Sequence, residues 1–391
     1  MPWKEVKPMD EKVLFIADSL REIDSFSRLC LRYGISRKTG YKWIERYREQ
    51  GADGLPERSR RPLSCAGQTP FAVSQAILEL RGIGRTPPGP KKLQTLLGTR
   101  FPDDLIPSKT TIYNILKRAG QIEPQRRRRR VAPHPGALAR TDMPNDLWSA
   151  DYKGQFKTGD GRWCYPLTIM DHASRYLLRC HGLAGTSFDG ARTVFETLFR
   201  ERGLPKRIRT DNGAPFASIG VGGLSRLSLW WVRLGILPER IEPGRPQQNG
   251  RHERMHRTLK QAVTHPPART LGQQQMLFDQ FQRHYNEERP HEGLGQHTPA
   301  SHYAASPRAY PERLPELEYP NWYRRQKVSV NGVMYCLGRR VYVGYLLGGE
   351  WMGLEPVADG EWDVYFGPVR LGHFDERDTR GVQNDYIVLK V

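Results

Sequence analysis

The chain has 391 residues, a formal net charge of +19 and a pI near 9.9. That length exceeds one ordinary domain and predicts about two to four. The charge excludes an acidic, solvating protein and points to a polyanionic partner, nucleic acid first. No run approaches the ~18 apolar residues of a membrane span, and the N-terminus has no apolar signal region, so a soluble, cytoplasmic, nucleoid-associated protein is expected. The five cysteines (Cys30, Cys65, Cys164, Cys180 and Cys336) form no Cys-x-x-Cys pair and no zinc spacing with histidine. Disulfides are not expected in a reducing cytosol.

Charge is concentrated early: residues 1–130 carry 27 Lys and Arg against 14 Asp and Glu. Residues 12–50 predict three short helices. Gly34 stops the second, and Ser36 caps a basic third helix from Arg37 to Tyr47. Helix, tight glycine turn and Ser-capped basic helix form the helix-turn-helix pattern. Residues opening its second helix enter the major groove, which here are Ser36, Arg37, Lys38, Thr39 and Tyr41. Ile35, Tyr41, Trp43 and Ile44 also read as packing residues, with Trp43 in the core. A plain three-helix core with solvated cations is the alternative.

A breaker-rich, basic linker at 56–69 separates this domain (1–55) from a second helix-turn-helix unit at 70–122. There Ser108 is the N-cap, and Lys109, Thr110, Thr111 and Tyr113 form the approach face. Arg126, Arg127, Arg128, Arg129 and Arg130 are an unbroken cationic run inside a linker at 123–145, suited to phosphates and carrying no sequence code.

Residues 146–300 read as an α/β core. Strand signals lie at 147–156, 163–170, 176–183, 207–209 and 236–241. Helices follow Thr186 or Ser187 and lie near 249–263 and 271–287. A Pro-rich linker (301–325) leads to 326–391, where Asn331-Gly332 and Asp359-Gly360 separate alternating runs and predict hairpins. Such spacing predicts a small β-barrel. Arg324, Arg325, Lys327, Arg339 and Arg340 would give it positive charge for DNA, with oligomerisation or packing as the other reading.

Three acids stand out. Asp151 lies in a strand-like run, Asp211 ends another at Asp211-Asn212-Gly213, and Glu253 follows Gln248-Asn249-Gly250 into a helix. Glu253, Arg257 and Lys260 share one helical face. Taken alone, that face is as well explained by solvation and a Glu-to-Arg pair. Three carboxylates converging on one point repel unless cations join them, and hard divalent ions are the natural partners. Asp160 in Gly-Asp-Gly, Asp171 at a strand end, and Asp189 and Glu196 on the next helix read as structural; Asp142 and Asp146 read as linker residues.

These motifs, with Asn249 to Lys260, Tyr285 to His291 and Thr298-Pro299-Ala300, resemble the acidic-triad (DDE) transposases of bacterial insertion sequences, in the retroviral-integrase superfamily. The likeness runs from about Asp146 to Ala300. The gap from Asp211 to Glu253 is longer than in the best-known members, and the extra length falls in the Gly-rich stretch 218–225. The resemblance implies a multidomain architecture: all-α helix-turn-helix units, a ribonuclease-H-like core and a C-terminal β-barrel. It implies Asp151, Asp211 and Glu253 as catalytic and metal-binding residues, holding two Mg2+ ions per site with Mn2+ able to substitute. Terminal inverted repeats and target DNA would be the partners. DNA would be cut at the element ends and the 3′-hydroxyls joined to target by a homodimer or higher oligomer. Lys260 would touch terminal phosphate, with Arg257 and His256 as weaker candidates, and Asn212, Gln248 and Asn249 would order loops or contact DNA. A non-catalytic DNA-binding regulator and a metal-dependent DNA nuclease are the competing readings.

Overall fold

The computed structural model describes residues 8–22, 24–57, 68–83, 86–122, 141–218, 220–242, 246–336, 338–377, 382–383 and 386–390. The Arg126 to Arg130 run and Arg58 to Pro62 lie outside them. The chain divides into two compact units, residues 1–68 and 69–391.

In the first unit, α1 (Pro8–Leu20), α2 (Phe26–Arg32) and α3 (Arg37–Gln50) pack around Phe15, Ile16, Leu29, Cys30, Trp43 and Leu55. Ser36 caps α3 as expected, its side chain accepting from the Thr39 amide. Gly34 takes a left-handed φ of 63° in the turn before it. Gly40 is buried, and a Cβ there would meet Cys30 Sγ at 2.8 Å, so α3 packs this closely only through a glycine. Trp43 is in the core, whereas Tyr41 is exposed and lies against Phe26 with ring centroids 4.2 Å apart. Its packing role is therefore peripheral.

The second unit begins with α4 (Phe71–Gly82), α5 (Pro90–Leu97) and α6 (Lys109–Arg118), built around Val73, Ile77, Leu93, Leu97, Ile112 and Leu116. Ser108 caps α6 through the Thr111 amide.

Then comes a mixed sheet. Its strands are β1 (Leu147–Tyr152), the two-residue β2 (Phe156–Lys157), β3 (Trp163–Asp171), β4 (Leu177–Leu183), β5 (Arg207–Thr210) and β6 (Leu237–Arg240). β3 pairs antiparallel with β4, β2 and β1; β1 pairs parallel with β5, and β5 parallel with β6. Helices α7 (Phe188–Arg202) and α8 (Arg226–Arg233) bury Phe195, Phe199, Trp230 and Trp231 on one face, against Trp148 and Ala150 of β1. On the other face, α9 (Gly250–Val263) and α10 (Leu271–Arg283) bury Met255, Leu259, Val263 and Phe278 against Met170, Leu177 and Cys180. This is the ribonuclease-H-like order. The alternation along β1 positions the site: Trp148 and Ala150 enter one core, so Ser149 and Asp151 face α9.

Asp171 holds the β3–β4 turn, accepting from the Ser174 amide and hydroxyl and from the Asn145 amide. Asp160 holds its hairpin through Thr158 and the Arg162 amide. Asp146 pairs with Lys206 at 2.8 Å.

The C-terminal region corrects one expectation. Its strands are β7 (Arg324–Lys327), β8 (Val333–Cys336), β9 (Arg339–Tyr342), β10 (Trp351–Ala358), β11 (Glu361–Phe366), β12 (Val369–Asp375), β13 (Val382–Gln383) and β14 (Tyr386–Val388). They form two open four-stranded sheets, β12-β11-β10-β7 and β13-β14-β9-β8, over a shared core of Met334, Val341, Met352, Leu354, Val364 and Phe374. They do not close into a barrel. Both hairpin turns occur as expected, with positive φ at Gly332 and Gly360. Among the described residues, the two sheets meet only through isolated bridges, Val328–Met334 and His373–Lys390, rather than through a continuous ladder.

Among the described residues, no helix is long and apolar enough to cross a membrane, and Cys30, Cys164, Cys180 and Cys336 are free and buried.

Candidate active site

Asp151 lies near the C-terminal end of β1, Asp211 directly follows β5, and Glu253 sits in the first turn of α9. β1 and β5 are parallel neighbours, so both aspartates leave the sheet at the same edge. The face of α9 against the sheet carries His252, Met255, His256, Leu259 and Val263, all buried. Glu253, Arg257 and Lys260 are consequently exposed together.

The Asp151 carboxyl is pushed up to about 7, first by burial, then by the charge of Asp211, with Glu253 adding to it. The three expected acids therefore share one electrostatic field. Asp211 is braced locally, its Oδ1 accepting from the Gly213 amide at 3.1 Å, and Asn212 Nδ2 donates to the Ile241 carbonyl. A half-buried carboxylate in the field of two more carboxylates suits compensation by a divalent cation, and the all-oxygen triad fits a hard ion such as Mg2+.

Sequence reasoning missed Ser149, Thr168 and His252 beneath Asp151, and it offered His256 as a phosphate contact, whereas His256 is buried with them. Ser149 Oγ lies 2.8 Å from His252 Nδ1, and Thr168 Oγ1 lies 2.7 Å from His252 Nε2 and 2.6 Å from His256 Nε2. Thr168 also donates to the Asp151 carbonyl at 3.0 Å. His256 Nδ1 stands 3.7 Å from Asp151 Oδ2. Burial holds both imidazoles neutral, lowering His252 to about 3 and His256 to about 2. Among the described residues, the three side chains whose ligand atoms lie within 4.8 Å of one another are Asp151, His252 and His256. The signal was present: the apolar spacing of Met255, Leu259 and Val263 turns 252 and 256 inward.

A second buried group orders the approach to α9. Arg209, 1% exposed, donates to Glu239 and to the Gln248 carbonyl. Gln248 in turn donates to Glu242 and accepts from its amide. Gln248 thus orders a loop, as expected. Asn249 is buried before α9, and its Oδ1 has no hydrogen-bond partner among the described residues. Of the other candidates, Arg37, Lys38, Tyr41, Lys109 and Thr110 are exposed at their helix starts, and Thr39 and Thr111 are half-buried there.

Residues 141–246 and 234–299 match the Integrase core domain family. Residues 141–299 of this chain are thus an integrase core. The expected resemblance to DDE transposases is thereby borne out, and with it the class of enzyme, a polynucleotidyl transferase. Residues 14–62 match a Helix-turn-helix domain and 39–116 a Homeodomain-like domain. Similar proteins include the insertion element IS476 uncharacterized 39.2 kDa protein of Xanthomonas euvesicatoria, 28% identical over 59% of this chain and 64% of its own length. The insertion element IS407 uncharacterized 31.7 kDa protein of Burkholderia multivorans is 29% identical over 51% of this chain and 69% of its own. The chain thus spans about two thirds of the length of these relatives. A similar solved structure, the HTLV-2 integrase catalytic core domain in complex with magnesium, covers 42% of this chain and all of its own at 17% identity and a TM-score of 0.34.

Proposed function

We propose that this protein is a DDE transposase. It binds the terminal inverted repeats of an insertion sequence, cleaves DNA at the element ends and joins the 3′-hydroxyl ends to target DNA. The observation that supports this reading is the charge of Asp211 and Glu253 acting on Asp151, beside the exposed Arg257 and Lys260, within an integrase core.

Asp151, Asp211 and Glu253 would together hold two Mg2+ ions, for which Mn2+ would substitute. Bound there, divalent ions activate the attacking oxygen and stabilise the leaving one. The chain's own groups bind and orient the DNA. Arg257 and Lys260, one and two turns along the exposed face from Glu253, neutralise phosphate next to the scissile bond. Water attacks the phosphorus first, and the freed 3′-hydroxyl attacks target phosphorus second. Both are in-line displacements that need no covalent protein–DNA intermediate.

The helical units 1–55 and 70–122 read the repeats, through Arg37, Lys38, Thr39 and Tyr41 on α3 and Lys109, Thr110 and Thr111 on α6. The segment 123–145, with its five arginines, follows phosphate, residues 146–300 form the catalytic core, and 326–391 supplies a further DNA or subunit contact. Two ends call for at least two copies on DNA.

The test incubates the full chain with labelled terminal-repeat DNA and a target plasmid, in Mg2+, Mn2+ or EDTA. Metal-dependent joined product supports a transposase. Cleavage without joining would favour a nuclease, and binding without cleavage a regulator.

A further inference from the structure

The residues under Asp151 carry an assignment that rests on the metal-binding role proposed for that carboxylate. It begins with the hydrogens of Thr168. A hydroxyl has one hydrogen to give and two lone pairs to accept with. The Asp151 carbonyl, 3.0 Å away, can only accept, so it takes the Thr168 hydrogen. His252 Nε2 at 2.7 Å and His256 Nε2 at 2.6 Å must then both donate. A neutral imidazole has one N–H, so both rings carry it on Nε2 and leave Nδ1 bare.

The two bare nitrogens have different fates. His252 Nδ1 accepts from the Ser149 hydroxyl at 2.8 Å, a closer partner for that hydrogen than the Met170 carbonyl at 3.4 Å, and this uses its lone pair. His252 is therefore fully engaged and cannot ligate an ion, although it lies close enough. His256 Nδ1 meets no donor among the described residues. It faces Asp151 Oδ2 at 3.7 Å, on a side chain only 8% exposed. A lone pair aimed at a carboxylate oxygen in a buried site is repulsive unless a cation stands between them. The separation is too long for a direct hydrogen bond. It suits one ion, because two ligand atoms each about 2.1 Å from an ion lie no more than about 4.2 Å apart. Thr168 completes the arrangement by holding the ring through its far nitrogen, as groups behind a metal-bound imidazole do.

We propose that His256 is a metal ligand, its Nδ1 and Asp151 Oδ2 holding the same divalent ion. The triad alone is an all-oxygen donor set. One imidazole shifts that ion's preference toward Mn2+ relative to Mg2+.

The test uses the full-length protein loaded with Mn2+, labelled with 15N-histidine, and read by electron spin echo envelope modulation. The wild type is expected to show coupling to one imidazole nitrogen, lost in His256→Gln and in His256→Asn. By calorimetry, His256→Gln should weaken Mn2+ about tenfold and Mg2+ by no more than about twofold. Circular dichroism checks that each variant is folded, and the wild-type spectrum decides even if neither is. No nitrogen coupling in the wild type, or coupling that survives in a folded variant, overturns the assignment. Asp151→Asn separates the two readings. Mn2+ binding that needs Asp151 but shows no nitrogen coupling leaves the carboxylate site standing and removes His256. Mn2+ binding unaffected by Asp151→Asn overturns both.

Discussion

Arg209 and Glu239 form an ion pair between adjacent strands, with Nε and Nη2 donating to one carboxylate oxygen at 2.9 and 2.7 Å. The Arg209 side chain is 2% exposed, and its Nη1 also reaches the Gln248 carbonyl at 3.2 Å. The strand that ends at Asp211 is thereby tied to the turn that launches α9 and Glu253. Removing the cation leaves Glu239 charged and largely buried. Arg209→Met is expected to destabilise the protein by about 3 kcal/mol in urea denaturation, and the double substitution Arg209→Met/Glu239→Leu to recover most of that loss. Equal destabilisation in single and double variants would remove the pair from this role.

Acid should weaken the fold through its buried histidines. His172, His252 and His291 are lowered to about 3 and His256 to about 2, in each case chiefly by burial. A depressed folded pKa gives stability that is present above the unfolded value near 6.5 and lost as pH falls below it. Each such group contributes a slope of up to about 1.4 kcal/mol per pH unit. Asp151 and Asp171, both raised by burial, act in the opposite sense. Four groups against two leave a net loss, so the melting temperature of the metal-free protein should drop between pH 6 and pH 4.

Asp151 gives the reverse signature. Its folded value of about 7 exceeds the unfolded value, so its contribution is complete below about 4 and lost as pH rises through 7. Asp151→Asn removes a buried charge crowded by Asp211. Without metal, the variant should melt a few degrees above wild type at pH 8, and the two should converge near pH 4. Divalent ions should raise the wild-type melting temperature at pH 8 and leave the variant unmoved.

Lys260 and Arg257 stand exposed on the Glu253 face. If each neutralises one phosphate, Lys260→Ala should lower the slope of log K against log salt by about 1 for terminal-repeat DNA, and the pair by about 2. An unchanged slope would place the DNA elsewhere.

Local chemistry made much of this legible in the sequence. The Ser36 and Ser108 caps, the Asn-Gly and Asp-Gly turns and the period that exposes Glu253, Arg257 and Lys260 are each decided within a few residues. The paired strands behind Asp151 and Asp211 were placed by the same short-range signals. What was hidden depends on distant partners. Thr168 meets His252 and His256 only because β3 pairs with β1 beneath α9. Arg209 looks like one more surface cation in a basic chain until β5 and β6 enclose it. The parallel joining of β14 to β9 has no local sequence mark either.

The most direct measurement is the joining assay on Glu253→Gln, a substitution at an exposed helical position that leaves the packing of α9 intact. With Mg2+ and terminal-repeat DNA, the variant should bind like wild type yet lose joined product by at least about a thousandfold, the scale on which phosphoryl transfer depends on its charge-stabilising groups. Joining by Glu253→Gln at the wild-type rate would contradict the triad and the mechanism built on it.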